Sequence, residues 1–273
     1  MKLLAVSSGY SKEDALKSAC YNRPMLFPGL DLNYIGQQFE SAAPAVVEAS
    51  RASGSGADNA DHSPAMLEQA MLRLLELLTI VESRGDMSAD FSQHDIDLNE
   101  LGDYAIQLLS DLSSVAGSLN MAPQSQSLED LTLPMALWIA RHEGELRTLE
   151  PIVNALSRMA NTLREPSALA QLYEVTSEVH RATGSLLRQD LEKQNPGRPW
   201  RLLLMNQAII ATRSHQTALI DEAYQVLVEA LPEEALRFFE EGMQQMEALN
   251  YPEVVRQVVE KYYNLWNIPK TLH

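Results

Sequence analysis

A chain of 273 residues with 45% hydrophobic and 21% charged side chains has the length and make-up of a globular protein with a sizeable core. Its 37 acidic and 21 basic residues leave a net charge of −16, which works against binding to nucleic-acid phosphates or anionic lipid and favours a basic partner surface. A single cysteine, Cys20, excludes an intrachain disulfide and a cysteine-rich metal cluster.

Leu, Ala, Glu, Gln and Met abound while aromatics make up only 6%, so the expected fold is all-α. The opening "MKLLAVSSGYSKED" has too short an apolar stretch for a signal peptide. No apolar run is long enough for a membrane span either. The expectation is a cytoplasmic protein.

Residues 1–48 read as an N-terminal arm. A capping pattern at "SKED", with Ser11 as N-cap, opens a short helix through Cys20, and "RPMLFPGLDL" ends it. Met25, Leu26 and Phe27 form an apolar cluster that calls for a docking surface. Residues 49–63, "ASRASGSGADNADHS", have the small, polar composition of a flexible linker. Residues 64–122 read as a helical hairpin. Ser63-Pro64 supplies an N-cap and a proline at the first helical position. Leu67, Ala70, Met71, Leu74, Leu75, Leu78 and Val81 then recur at helical spacing, and Gly85 is a stop. Leu101, Ala105, Leu108, Leu112, Val115 and Leu119 mark the second helix, which "MAPQSQS" ends. Residues 123–273 read as a second hairpin region packed with 64–122 into one domain.

In that region Pro134, Pro166, Pro199 and Pro232 stand 32, 33 and 33 residues apart, each opening an apolar-periodic segment. The spacing resembles the period of about 34 residues in tetratricopeptide repeats. The first and fourth units fit, with Gly144 and Gly242 where that repeat takes a small residue. The middle units depart from it. Ile209 is bulky where a small residue is wanted, and Arg188 and Asp221 fall at positions that want small apolar ones. Segments 166–193 and 199–230 therefore read as long single helices, bent near Gly184 and Ser214. The expected architecture is an irregular bundle of antiparallel helix hairpins, with a tetratricopeptide-like α-solenoid as the alternative. In the last unit, Leu231, Ala235, Phe238, Gly242, Met246 and Leu249 face the stripe Val254, Val255, Val258, Val259, Tyr262 and Trp266. Two stripes across a short turn bury each other, so the terminal aromatics read as a core plug.

No chemistry-bearing pattern is complete. "DIDLN" at 95–99 begins like a calcium loop, yet Glu100 and Ile106 stand where that loop needs glycine and glutamate, so Asp97 reads as an N-cap. "ARHEGEL" holds His142, Glu143 and Glu145, but Leu146 replaces the second histidine of a zinc motif. His180 and His215 lie on later helices and would make a site only by converging with His142. Cys20 has Lys17 and Arg23 nearby and no catalytic signature, and no glycine pattern cradles a phosphate. Neither a cofactor nor a metal site is expected.

Two groups are candidates for partner binding. "NPGRPWR" presents Arg198, Trp200 and Arg201 together, residue types common at interface hot spots. The structural alternative is that Trp200 packs inward while the arginines pair with local carboxylates. In a repeat-like stack, Arg141, Tyr173 and Asn206 would be exposed at equivalent positions along one concave face. The function expected on these grounds is a non-enzymatic protein-interaction module: an adaptor, assembly factor or regulator. The rivals are a helical-bundle enzyme or small-ligand carrier with an inter-helix pocket around His142, Glu145, His180 and His215, and a homo-oligomeric structural protein.

Overall fold

The computed structural model describes residues 31–53, 63–84 and 97–267. Within them the protein is all-helical. Eleven helices and one single turn follow in order: α1 (Leu32–Ser53), α2 (Pro64–Arg84), α3 (Leu98–Ser118), α4 (Ala122–Asp130), α5 (Thr132–Arg141), α6 (Glu150–Thr162), α7 (Pro166–Ala182), the turn α8 (Ser185–Arg188), α9 (Pro199–Arg213), α10 (Thr217–Ala230), α11 (Pro232–Ala248) and α12 (Glu253–Trp266). No helix among the described residues is long and apolar enough to cross a membrane.

The helix starts follow the sequence signals. Pro64, Pro166, Pro199 and Pro232 each occupy a first helical position, where a missing N–H costs nothing. Pro134 instead stands third in α5, a helix that starts at Thr132. Asp97 caps α3, its carboxylate accepting from the Asn99 N–H at 2.8 Å.

Helix α1 occupies much of the segment read as an irregular arm and runs into the stretch read as linker. Its stripe of Leu32, Ile35, Phe39, Ala43, Val46 and Val47 is buried. Pro44, inside the helix, is exposed and sits on the face that makes no core contact. The segment "MAPQSQS" likewise does more than end a helix. After a turn at Asn120 the chain re-enters α4, with Pro123 in its first turn, and Ser113 of α3 donates to the Ser125 carbonyl at 2.9 Å. The expected short helix to Cys20, the Met25–Phe27 cluster, Gly85 and the acidic loop before Asp97 lie outside the described residues.

Both long helices expected in the middle of the chain are broken. Helix α7 ends at Ala182 because its last carbonyls are taken elsewhere. Arg188 donates to the His180, Arg181 and Thr183 carbonyls, while Thr183 pairs with Leu146 in an isolated parallel bridge. The 199–230 segment turns back at His215, whose φ of 58° reverses the chain between α9 and α10. Ser214 closes that turn, donating to the Ala211 carbonyl and accepting from the Gln216 N–H.

Helices α1 to α5 pack mutually around a shared core. Within α5 every residue from Thr132 to Ile139 is buried, which places it at the centre of the chain's packing. From α5 onward, contacts run along the chain: α5 meets α6 and α7, α9 meets α6, α7 and α10, and α10 meets α11 and α12. Tyr224, Phe238, Phe239 and Tyr262 interlock at centroid distances of 5.0–5.6 Å, so aromatics of the last two helices do plug a core.

Candidate functional site

Two stripes of opposite helices leave a gap between them. On α9, Arg201, Met205 and Ile209 follow at four-residue spacing and Arg213 continues the row. On α11, Phe238, Gly242, Gln245 and Met246 line the same space, and Leu249 joins them from the helix's C-cap. Thr212, Tyr224 and Tyr251 complete a cleft of about 490 Å³. Ile209 is 44% exposed and Leu249 62% exposed, so apolar side chains stay accessible to a guest.

Ion pairs close one end. Arg201 holds Glu234 through Nε and Nη2, the latter at 2.9 Å, and its Nη1 donates to the Pro196 carbonyl. The hydrogen bond from Arg201 keeps the Glu234 carboxyl below its usual range, and the same bond raises Arg201. Arg237 pairs with Glu241 on the surface. At the other end Arg213 donates to the Ala160 and Leu163 carbonyls at the end of α6, not to a carboxylate. Tyr251 stands nearby, its ring edge-on to His215 at 5.4 Å; burial raises its pKa and the Arg213 charge partly opposes that. The cleft lining thus carries three arginines and two glutamates on a chain whose net charge is −16.

A second hollow of about 490 Å³ lies between the ends of α5 and α7, lined by Glu143, Glu145, Arg181, Ser185 and Arg188 among others. Its Arg188 is committed to capping α7, and its lining is mainly short or charged side chains. It has no apolar floor comparable to that of the cleft.

The residues singled out from sequence land apart. Arg141 is exposed and forked onto Glu178 at 2.8 and 3.2 Å. Tyr173 is only 1% exposed, which corrects the expectation of an exposed row with Arg141 and Asn206. Its hydroxyl and the Gln207 Oε1 are buried without a hydrogen-bond partner, and burial, with Glu222 nearby, pushes the phenol up to about 12. Asn206 donates to Ser157 Oγ at 2.8 Å, tying α9 to α6. In "NPGRPWR" the inward alternative holds. Arg198 is buried and forked onto Asp190, Trp200 is buried against His180 with centroids 5.4 Å apart, and Arg201 serves the cleft.

The histidines do not converge. His142 lies tilted against Trp138 at 4.3 Å, His180 against Trp200, and His215 meets Tyr251 edge-on. Glu145 is exposed, and its N–H takes the Asn99 side-chain oxygen at 2.6 Å. Among the described residues no three His, Cys, Asp or Glu side chains are grouped to hold a metal ion.

Sequence reading missed the cleft because Met246, Phe238 and Leu249 have the spacing of a core stripe. One signal pointed to it: Ile209, too bulky for the repeat position it occupies, is one of the two apolar cleft residues that stay exposed, with Leu249. No protein-family model matches the chain, and neither a curated protein nor a solved structure is significantly similar to it.

Proposed function

We propose that this chain is a non-enzymatic protein-binding module that acts as an adaptor, assembly factor or regulator, and that the α9–α10–α11 cleft is where a partner segment docks. In this reading α1 to α5 form a closed base, and the helices beyond them extend it as a stack of hairpins whose last members bound the cleft. The observation that carries it is the cleft's make-up: Met205, Ile209, Phe238 and Met246 form an adaptable apolar floor between two charged ends. The acidic surface around it steers a basic partner toward the site.

A photocrosslinking residue at position 209 tests this in lysate of the native source. Adducts to one protein that are lost on Met205→Glu, with none from the same crosslinker at exposed Gln126, are the expected result. Crosslinks that ignore the Met205 change would refute it. A second reading, a small-ligand carrier, draws on the cleft volume, which falls in the range typical of small-molecule sites. Native mass spectrometry showing a bound small molecule that Met205→Glu displaces would favour that rival.

A further inference from the structure

We infer that the cleft anchors the free C-terminal carboxylate of a partner chain whose last residue is bulky and apolar; the inference rests on the protein-binding reading above. Three features point to this chemistry. First, the lining is locally cationic on a strongly acidic molecule, with Arg201, Arg213 and Arg237 set against Glu234 and Glu241. A site that reverses the sign of its surroundings selects an anionic group at short range, where screening by salt is weakest.

Second, the arginines are not equivalent. Glu234 already neutralises Arg201 and Glu241 neutralises Arg237. Arg213 instead spends one N–H of each Nη on the Ala160 and Leu163 carbonyls. A guanidinium carries five N–H donors, so the Nε hydrogen and one further hydrogen on each Nη remain for a carboxylate. The two carbonyl bonds also fix the group in place, which lowers the entropy lost on binding. Third, Tyr251 stands beside Arg213, and the apolar floor of Ile209, Met246 and Leu249 leads away from that pair toward Arg201. A carboxylate and one apolar side chain attached to the same carbon fit that order of groups. A mid-chain segment has the side chain without the charge.

The test uses the full chain and two labelled pools of decapeptides ending in Leu, Phe or Met, random upstream, synthesised as the free acid and as the carboxamide. Fluorescence anisotropy should show the acid pool binding at least tenfold more tightly. Arg213→Lys should erase that difference. Because Arg213 also ties down the end of α6, Met205→Trp serves as a second variant that fills the cleft and leaves the arginine in place; it should abolish binding of both pools. Equal binding of acid and amide, lost on Met205→Trp, would overturn the carboxylate inference and leave the protein-binding reading standing. Binding of dodecanoate with no binding of either pool would overturn both, and binding of none of the three would overturn the inference.

Discussion

His180 is a side chain whose charge state the fold decides. It lies against Trp200, and burial, followed by the charges of Arg188 and Arg181, lowers its pKa to about 4. An unfolded histidine titrates at about 6.5, so between those values the unfolded chain binds the extra proton. The stabilisation from a neutral His180 is therefore complete above that upper value and fades as pH falls toward the lower one. His180→Phe keeps a ring on Trp200 and removes the titration. Urea midpoints measured from pH 6.5 to 5 should fall more steeply for the wild type than for the variant; parallel curves would mean that His180 is not held neutral. The Arg198–Asp190 pair obeys a related rule. Both partners are almost fully enclosed, and two carbonyls, of Lys193 and Asn195, take further guanidinium hydrogens. This is how a buried charge is tolerated, and it is why Arg198, one of the arginines singled out in the sequence for partner binding, is spent on structure.

At the scale of elements, two glycines of α3 make opposite demands. A Cβ at Gly102 would lie 2.6 and 2.9 Å from the Cδ1 and Cγ1 of Ile139, which is itself enclosed in α5. A Cβ at Gly117 would meet only Ser125 Oγ, at 3.6 Å. Alanine gains about 0.5–1 kcal/mol over glycine inside a helix, while overpacking a core costs about 1–3 kcal/mol. Gly102→Ala should thus lower stability and Gly117→Ala should hold or raise it, in denaturant unfolding of the two variants. The same contrast explains what the sequence could and could not show. Helix α3 was readable from Asp97 and its stripe, because capping and periodicity are local. The close approach of Gly102 to Ile139 was not, since it depends on which helix arrives from elsewhere. Pro123, in a stretch read as a helix stop, hid much of α4, because a proline in the first turn opens a helix as readily as it ends one; α1 was passed over within segments read as arm and linker. The break at His215 was legible only as a bend near Ser214, not as a full reversal of the chain. Histidine tolerates positive φ better than most residues, but the turn is held by the Ser214 hydroxyl and by the Thr212–Tyr224 hydroxyl hydrogen bond at 2.8 Å, which spacing along the chain does not reveal.

Over the whole molecule, packing is uneven. Helices α3 and α5 each meet several helices of the N-terminal group, whereas α12 packs on α10 and α11. Buried residues in the last two helices come down to Ala235, Phe239 and Met246 on α11 and Val255, Val259 and Tyr262 on α12. Under the stacked reading this terminal hairpin opens without the rest, since α12 packs on α10 and α11 and not on the N-terminal group that holds α3 and α5. Native-state hydrogen exchange should then release the amides of α11 and α12 before those of α3 and α5. Equal protection throughout would show a single cooperative body and count against a stack. The proposed docking cleft takes one wall, Phe238, Gly242, Gln245 and Met246, from α11 of this hairpin.

The bridge between Leu146 and Thr183 has a mechanical consequence. The Leu146 N–H reaches the Ala182 carbonyl at 2.7 Å and the Gly184 N–H returns to the Leu146 carbonyl at 2.8 Å. This double rivet fastens the strap between α5 and α6 to the foot of α7. An axial push on α7 meets these two bonds before it meets any slack in the strap, so α5 and α7 are coupled through backbone as well as through their side chains.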